Sequence, residues 1–356
     1  MFPYFLLALV PAVASIYFPN REAQKRKRVI FATILFFGTF ILLLSLKDAS
    51  VGVDNVSYEY IFRRIFRIDF SQITSKFETE HGYYFLNKIV SVFSKDYQVF
   101  MAVVAVIMIL PIAIFYGKES GASYLPFILF MSIAPFAMYF SGLRQAVAMA
   151  FAIPAFYLAK NKRIILFVLV CLLAMQFHQS AFMLFFLLPI CLFKFTAKGI
   201  AFSSPILLFA FIFNGPIFDL LVGFMGEYDD KYSSNEATGA FMMTLLFVMF
   251  TIYVFIVMDE EKMTKTDIAL RNIMVVALVL QIFSAADALA MRMNYYFLPF
   301  IPVLLSRVED VCKEKYIQVV KLANAVFICF FALYFFYKAT TGEDILEIFP
   351  YKFFWE

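Results

Sequence analysis

The sequence predicts an all-α, polytopic membrane protein, and three of its features indicate this fold class. Hydrophobic residues make up 63% of the 356-residue chain and charged residues only 16%, whereas a soluble domain is about 45–50% apolar and about 25% charged. Apolar runs long enough to cross a bilayer recur along the chain. The basic residues between these runs concentrate in alternate loops. Apolar surface left in water costs roughly 25 cal/mol per Å², so this composition excludes a soluble globular protein.

The apolar runs predict a transmembrane bundle of about twelve spans, because one span needs about 20 mostly apolar residues. Several runs are short or interrupted by proline. The first run has no basic region before it and contains Pro11, which favours a retained helix over a cleaved signal peptide. The predicted spans are roughly 2–18, 29–46, 97–116, 121–141, 143–159, 164–178, 180–193, 200–216, 239–258, 268–289, 293–306 and 317–337.

The distribution of lysine and arginine predicts the orientation of these spans. If the first basic loop lies in the cytoplasm, alternate loops that follow it are also basic and the short loops between them are nearly free of Lys and Arg. Both termini then lie outside. The loop 47–82 has arginines of its own, but a loop with its own structure is translocated regardless of charge. The basic residues of the predicted inner loops are Arg21, Lys25, Arg26, Lys27, Arg28, Lys118, Lys160, Lys162, Arg163, Lys194, Lys198, Lys262, Lys265, Arg307, Lys313 and Lys315.

Residues 1–356 form one predicted integral membrane domain with two distinct outer-face regions. Residues 47–96 mix aromatic, basic and acidic side chains, which predicts amphipathic helices at the membrane interface rather than a span. Residues 217–238 predict a second, acidic outer loop. The four cysteines contain no CxxC pair, which favours buried apolar residues over a disulfide framework or a metal site.

Three predicted outer turns place ionisable side chains beside apolar helices. Such groups cost roughly 2.5–3.5 kcal/mol at mid-membrane, so each marks a candidate site. Arg144, in the GLRQ motif, has five donors in a rigid fork that suits phosphate. His178 lies in the FHQS motif, and Arg292 shares a helical face with Tyr295 and Tyr296. The alternatives are arginines that extend to the lipid head groups and a packed histidine at a helix end.

The long outer region 47–96 adds carboxylates and tyrosines to this set. Asp54 precedes Tyr58 by four residues, and the EHGYYFLNK segment places four polar residues along one face of an amphipathic helix. A solvated face is the alternative explanation of this polar stripe. Together with the arginines and the histidine, these groups suit an anionic, sugar-bearing lipid head group. The stripe consists of Glu80, Tyr83, Tyr84 and Asn87.

At these motifs the sequence resembles the EpsG/Wzy family of exopolysaccharide and O-antigen polymerases. Five short family motifs occur in order between about residues 50 and 300. The sequence departs from the family pattern at His81, where the family often has proline before the glycine. The matching residues are Gly52, Asp54 and Tyr58; Glu80, Gly82, Tyr83 and Asn87; Leu143, Arg144 and Gln145; Phe177, His178 and Ser180; and Arg292, Tyr295 and Tyr296.

The resemblance implies a membrane glycosyltransferase that acts at the outer face of the cytoplasmic (inner) membrane. It would transfer a growing glycan from undecaprenyl pyrophosphate to an incoming lipid-linked repeat unit. Arg144 and Arg292 would bind the pyrophosphate, and His178 would activate the acceptor hydroxyl, with Glu80 and Asp54 as the alternative bases. The further substrate-binding residues would be Gln145, Tyr83, Tyr84, Asn87, Tyr295 and Tyr296.

Pyrophosphate is a good leaving group, and fixed positive charge stabilises it without a metal. The sequence has no DxD motif and no His/Asp set at ligand spacing, so we expect a metal-independent enzyme without a cofactor. The expected partners are undecaprenyl-pyrophosphate-linked glycans, membrane lipids and, from the resemblance, a polysaccharide chain-length regulator. No nucleic-acid partner is expected.

Other functions remain open at the level of sequence. A lipid-linked oligosaccharide flippase or transporter would spread polar residues through the membrane depth and show two related halves. An O-antigen ligase shares the architecture and the chemistry and differs in its acceptor. A membrane-bound acyltransferase would use a histidine base but does not explain the arginines, and a structural scaffold explains none of the clustered charge.

Overall fold

The computed structural model describes residues 2–17, 24–121, 124–133, 135–223, 237–284, 286–342 and 346–356, and most of them are helical. These ranges contain no strand, and the isolated antiparallel bridges are Lys47–Phe353 and Met258–Cys312. The all-α fold class is therefore confirmed. Of the predicted outer loop 217–238, residues up to 223 are helical, and 224–236 lie outside the described residues.

Nineteen α-helices lie in the described ranges, with short 3₁₀ helices at Phe70–Gln72, Gln179–Phe186, Leu298–Phe300 and Glu314–Tyr316. The α-helices are α1 (Phe2–Tyr17), α2 (Lys25–Leu46), α3 (Asn55–Ile65), α4 (Ile73–Lys76), α5 (His81–Phe93), α6 (Tyr97–Glu119), α7 (Leu125–Ser132), α8 (Pro135–Ser141), α9 (Leu143–Ala150), α10 (Ala152–Lys160), α11 (Ile164–Met175), α12 (Leu187–Leu192), α13 (Ala197–Ile212), α14 (Asn214–Gly223), α15 (Ala237–Val257), α16 (Lys265–Phe283), α17 (Ala288–Asn294), α18 (Ile301–Val311) and α19 (Ile317–Thr341).

Five helices of the described chain are long and apolar enough to cross a membrane, fewer than the predicted number of spans. They are α2, α6, α16, most of α15, and α19 with the 3₁₀ turn before it. The pair α13 and α14, bent by 85°, makes a sixth if it counts as one broken span. The multi-pass character is thus supported, and the predicted count of about twelve is not confirmed by helix length and composition.

The two predicted spans that flank residue 142 are each divided into two α-helices. Residues 121–141 contain α7 and α8, and residues 143–159 contain α9 and most of α10. Proline accounts for the division, because it has no N–H to donate and its ring clashes with the carbonyl four residues earlier. Pro135 begins α8, and Pro154 lies four residues after Ala150, where α9 ends. The site described below lies between these two divided spans, at the junction of α8 and α9.

Aromatic packing holds α2 against the interior of the bundle. α2 packs along α6, and Phe36, Phe37 and Phe40 are buried on its inner face. Phe37 lies edge-on to Tyr116 with ring centroids 5.1 Å apart, and Phe40 lies edge-on to Phe130 at 5.6 Å. Edge-to-face pairs of this kind add about 0.5–1.5 kcal/mol to the burial of each ring. Much of the phenylalanine content therefore serves helix packing.

The basic loops meet at one end of the bundle. Lys25, at the start of α2, pairs with Asp310 at 2.7 Å, and Lys160 Nζ donates to Thr266 Oγ1 at 2.8 Å. These contacts join loops that the charge pattern predicts on the same side of the membrane. We call this the basic end. That it faces the cytoplasm stays a prediction.

The opposite end holds residues 47–96 and the C-terminal segment 346–356. Asp48 N–H donates to Lys352 O at 2.9 Å, and Gly52 N–H donates to Glu347 O at 3.0 Å. Tyr4 Oη, near the start of α1, donates to Ile348 O at 2.6 Å. The beginning of α1, the end of α2 and the C-terminal segment therefore lie on one side, as the predicted topology requires.

This packing predicts the labelling of single cysteines placed in a cysteine-free variant. Cysteines at Lys76 and Glu356 should react with a membrane-impermeant maleimide in intact cells, because both lie at the end opposite the basic loops. A cysteine at Lys162 should react only after the membrane is permeabilised. Opposite behaviour of positions 76 and 356 would contradict the packing, and labelling of position 162 alone would reverse the predicted orientation.

Candidate active site

A glycine sets the closest approach between the outer-face segment 47–96 and the helical bundle. Gly82, in the first turn of α5, donates its N–H to Gln176 O at 2.9 Å, in the turn after α11. A Cβ atom at Gly82 would lie 2.9 Å from Gln176 Cβ and 3.0 Å from Gln176 O. Real Cβ atoms essentially never lie as close as the first distance and rarely as close as the second, so any larger residue would push Gln176 away. The contact holds Glu80, the residue before α5, over the FHQS turn.

Glu80 is the centre of the charged cluster. Its Oε2 accepts from Arg144 Nη1 at 2.5 Å, and its Oε1 accepts from the Gln179 backbone N–H at 3.3 Å. The other atom near Oε1 is His178 Nε2, at 4.0 Å. Glu80 has φ = 57°, in the left-handed region that costs a non-glycine residue on the order of 1 kcal/mol or more. Backbone strain of this kind concentrates at functional sites and is maintained by surrounding contacts.

His178 continues the network away from Glu80. It precedes the 3₁₀ helix Gln179–Phe186, and its Nδ1 accepts from the Ser180 backbone N–H at 3.3 Å and lies 2.6 Å from Ser180 Oγ. Ser180 Oγ lies 3.0 Å from the Tyr296 hydroxyl. Because a backbone N–H can only donate, Nδ1 is the acceptor and the neutral imidazole has its proton on Nε2. That nitrogen faces Glu80.

Arg144 lies in the first turn of α9, directly after the junction with α8. Its guanidinium is 6.0 Å from the centre of the Tyr58 ring. Its side chain is 38% exposed, whereas that of Glu80 is only 8% exposed. The next residue, Gln145, donates from Nε2 to Arg292 O at 2.7 Å, which joins α9 to α17. Arg292 is close enough for its charge to act on His178, so both arginines belong to the same site.

A second tight turn orders the segment that bears Tyr58. Gly52 has φ = +100°, and a Cβ atom there would lie 2.6 Å from Phe140 O, at the end of α8. Asn55, at the start of α3, is fully buried and donates from Nδ2 to Phe140 O at 2.6 Å and to Val51 O at 2.5 Å. These bonds hold α3 against the α8–α9 junction, beside Arg144.

The tyrosine hydroxyls of the outer-face segment stay protonated. Burial raises the pKa of Tyr58, of Tyr83 and of Tyr84, and the charge of Arg144 opposes the shift in each case. Tyr58 and Tyr83 lie edge-to-face, with ring centroids 5.5 Å apart. The hydroxyls therefore remain neutral hydrogen-bonding groups at physiological pH rather than negative charges that would compete for the arginine.

The chain matches the model of the EpsG family over residues 4–353. It belongs to the EpsG family. No curated protein and no solved structure matches it. Family membership supports a polysaccharide-polymerase type of role and glycosyltransferase-like chemistry, and it confirms the resemblance drawn from the five motifs.

In this EpsG-family protein, the structure brings together most of the residues expected at the site. Glu80, Arg144 and His178 are in one charged cluster, and Tyr296 joins it through Ser180. Gln145 and Arg292 form the adjoining contact between α9 and α17, and Tyr295, the residue after α17, is largely buried. In the described residues, no group of three or more His, Cys, Asp or Glu side chains is arranged to hold a metal ion.

The remaining expected residues have other environments. Asp54 is exposed at the start of α3, and its charge reaches Tyr58. Asn87 is fully buried, and its Nδ2 donates to Tyr83 O at 2.8 Å within α5. Tyr84 is half-buried, and its ring stacks on Phe77 with centroids 3.6 Å apart. Tyr83 and Asn87 therefore face the interior, not a solvated stripe.

Two residues of the site were present in the motifs without an assigned role. Ser180 fixes the proton on the His178 ring, and Tyr58 lies beside Arg144. Both occupy motif positions, so the sequence contained a signal for each. The contribution of Gln179 is a backbone N–H, which no side-chain pattern reveals.

The Gly82 contact predicts that Gly82→Ala destabilises the protein by about 1–3 kcal/mol, the usual cost of overpacking. Gly38→Ala is the matched control, because a Cβ atom on Gly38 meets no atom within 4 Å. The melting temperature of the purified protein in detergent should fall for Gly82→Ala and stay equal or rise for Gly38→Ala. Equal melting temperatures for the two variants would contradict the close approach.

Proposed function

We propose that this protein is a polysaccharide polymerase that joins undecaprenyl-pyrophosphate-linked repeat units by glycosyl transfer at the outer face of the cytoplasmic membrane. The observation that supports it most strongly is the cluster of Glu80, Arg144 and His178, with Arg292 beside it, at the end of the bundle opposite the basic loops. The cluster combines fixed positive charge with groups that accept a proton. Glycosyl transfer from a pyrophosphate needs both.

Arg144 and Arg292 are the proposed pyrophosphate-binding residues. Arg144 holds Glu80 through one terminal nitrogen, and a guanidinium has five N–H donors. Its Nε is buried, and no described residue accepts from it. The side chain is 38% exposed, and this exposed part, not the buried Nε, is the surface proposed to meet a phosphate oxygen, for which the planar fork is well matched. Positive charge at this point stabilises the pyrophosphate as it leaves.

Glu80 and His178 form the proposed proton-accepting pair. The acceptor hydroxyl oxygen attacks the anomeric carbon of the donor glycan, the bond from that carbon to the pyrophosphate oxygen breaks, and the pyrophosphate leaves with the electron pair. The hydroxyl proton passes to Glu80. The His178 ring lies next to this carboxylate, with Nε2 4.0 Å from Oε1, and is the second candidate to receive the proton. The sequence alone favoured His178 as the general base. Because Glu80 lies between Arg144 and His178, we propose Glu80 as the first candidate for the base and His178 as the second.

The ion pair gives the site a resting state. Without substrate, the Glu80 carboxylate is paired with Arg144. A pyrophosphate that draws the guanidinium toward itself frees the Glu80 oxygen that Arg144 occupies, so that this oxygen can accept a hydrogen bond from the acceptor hydroxyl. Donor binding and activation of the acceptor are thus coupled through one side chain. Asp54 and the half-exposed ring of Tyr84 are proposed to contact the sugars.

The location of the polar residues favours a polymerase over a flippase. The described polar cluster lies at one end of the bundle, whereas a transporter presents polar groups near mid-membrane on broken helices. An O-antigen ligase uses the same donor but another acceptor. Purified protein in liposomes, supplied only with lipid-linked repeat units, distinguishes the two, because only a polymerase lengthens them. A chain-length regulator remains the proposed protein partner.

Substitution of Arg144 tests the charge assignment in this reconstituted reaction. Arg144→Ala should lower the rate by about 10²–10³-fold, as loss of a charge-stabilising donor does. Arg144→Lys should also lose most of the activity, because a point charge does not reproduce the bidentate fork. Arg163→Lys, an exposed arginine at the basic end, is the control and should retain normal activity. Normal elongation by Arg144→Lys would remove Arg144 from the site.

Substitution of Glu80 tests the base. Glu80→Gln keeps the shape but removes proton acceptance, and a general base contributes about 10²–10⁴-fold. We expect kcat to fall by that order while the KM for the lipid-linked donor falls or stays equal, since Arg144 no longer has a competing carboxylate. Glu59→Gln, which loses only the ion pair with Arg63, is the control. A rise in KM with unchanged kcat would show that Glu80 only positions Arg144.

A further inference from the structure

A cavity of about 490 Å³ opens at the basic end, far along the bundle from the proposed active site. One wall is the turn between α10 and α11, with Lys160, Asn161 and Lys162. The other wall is the start of α16, formed by residues 264–266. The two walls touch where Lys160 Nζ donates to Thr266 Oγ1 at 2.8 Å. Cavities of this size accommodate a small ligand or a lipid head group.

Three lysines converge on this cavity without an acidic partner. Lys162 and Lys265 are exposed, and Lys160 is partly buried, with its ammonium 4.8 Å from the centre of the Tyr157 ring. Across the described part of the chain, none of the three forms an ion pair. Some other basic residues at this end do have acidic partners: Glu260 binds both Lys194 and Arg271. The cavity therefore holds uncompensated positive charge.

Two acidic side chains beside the cavity walls, Asp267 and Glu119, are already engaged. Asp267 accepts from Arg307 Nε at 2.5 Å and from Thr264 Oγ1 at 2.5 Å. Glu119 accepts from the Tyr157 hydroxyl at 2.8 Å and lies 3.8 Å from an Arg307 nitrogen. Glu119 attracts Lys160, but it does so while bound to two other groups. Neither carboxylate enters the cavity wall, so the lysines are available to an anion.

Membrane topology explains why lysines occur in these loops but not why three of them line one cavity. Basic residues in short inner loops need only be near the membrane surface. Lys198 and Lys315 meet that requirement as exposed side chains outside the cavity. Lys160 differs, because it is partly withdrawn from water and held by a hydroxyl and an aromatic ring. Such an arrangement favours a bound counter-ion.

We propose that the cavity between the α10–α11 turn and the start of α16 binds a phosphate group. Ammonium groups act as point donors that bind phosphate from several directions. The phosphate belongs either to an anionic phospholipid of the adjacent leaflet or to a soluble phosphorylated compound. Both sources present the same chemistry to the lysines. The site is independent of the proposed glycosyl transfer, which takes place at the opposite end.

The test compares the full-length wild type with two double variants that remove the same charge. Lys162→Gln/Lys265→Gln alters the mouth of the cavity, and Lys198→Gln/Lys315→Gln is the control at the same end. All four lysines are exposed, so both variants should fold, which the melting temperature without added ligand checks. Native mass spectrometry counts phosphatidylglycerol retained by each protein, and a thermal-shift assay measures stabilisation by inorganic phosphate against chloride at equal ionic strength.

We expect the cavity variant to bind about thirtyfold more weakly, the order for removing two lysines from an anion at the surface, while the control variant resembles the wild type. Loss of phosphatidylglycerol retention identifies a lipid head group as the source. Loss of stabilisation by inorganic phosphate, with unchanged lipid retention, identifies a soluble ligand. Equal behaviour of all three proteins, or an equal loss in both double variants, would overturn the proposal.

Discussion

The ion pair between Glu80 and Arg144 joins the outer-face segment to the helical bundle, and the candidate site is arranged around it. Glu80 is nearly buried, so its charge requires a partner, since an unpaired buried carboxylate is strongly disfavoured. Arg144 supplies that charge from the start of α9, and the Gln179 backbone N–H supplies another bond. The left-handed backbone of Glu80 and the close contact of Gly82 with Gln176 both help to position the Glu80 carboxylate beside Arg144.

Breaks between helices place the charged side chains of the site at helix ends, and not in the middle of a span where a charge is most costly. The junction between α8 and α9 comes directly before Arg144, and the turn after α11 precedes His178. Proline and 3₁₀ geometry shorten these helices, so their ends meet below the outer-face segment. Backbone carbonyls that lose their helical hydrogen bond at such breaks accept one from a neighbouring side chain. The Phe140 carbonyl, for example, accepts from Asn55 Nδ2. The irregular helices are therefore part of the site, and the long α2 and α6 provide its rigid support.

Composition and the alternation of basic loops were sufficient to predict the fold class and the grouping of loops at each end. The five motifs predicted that Glu80, Arg144 and His178 meet, because their residue types suit one chemistry. The positions of the helix breaks were harder to predict. Pro154 cannot donate to the carbonyl of Ala150, so α9 ends at Ala150, four residues before the proline and inside an unbroken apolar run. The polar periodicity of α5 did not reveal that Tyr83 and Asn87 are buried, because burial depends on tertiary contacts such as that between Tyr83 and Phe100.

The function of the whole molecule is tested most directly by the polysaccharide ladder of the host on a silver-stained gel after deletion of this protein. If the protein polymerises repeat units, the deletion strain retains material with a single repeat, and only the restored wild-type chain brings back the ladder. If the deletion also abolishes the single repeat, the protein acts earlier, as a flippase or an assembly enzyme, and the proposed role of the Glu80–Arg144 site in glycosyl transfer is wrong.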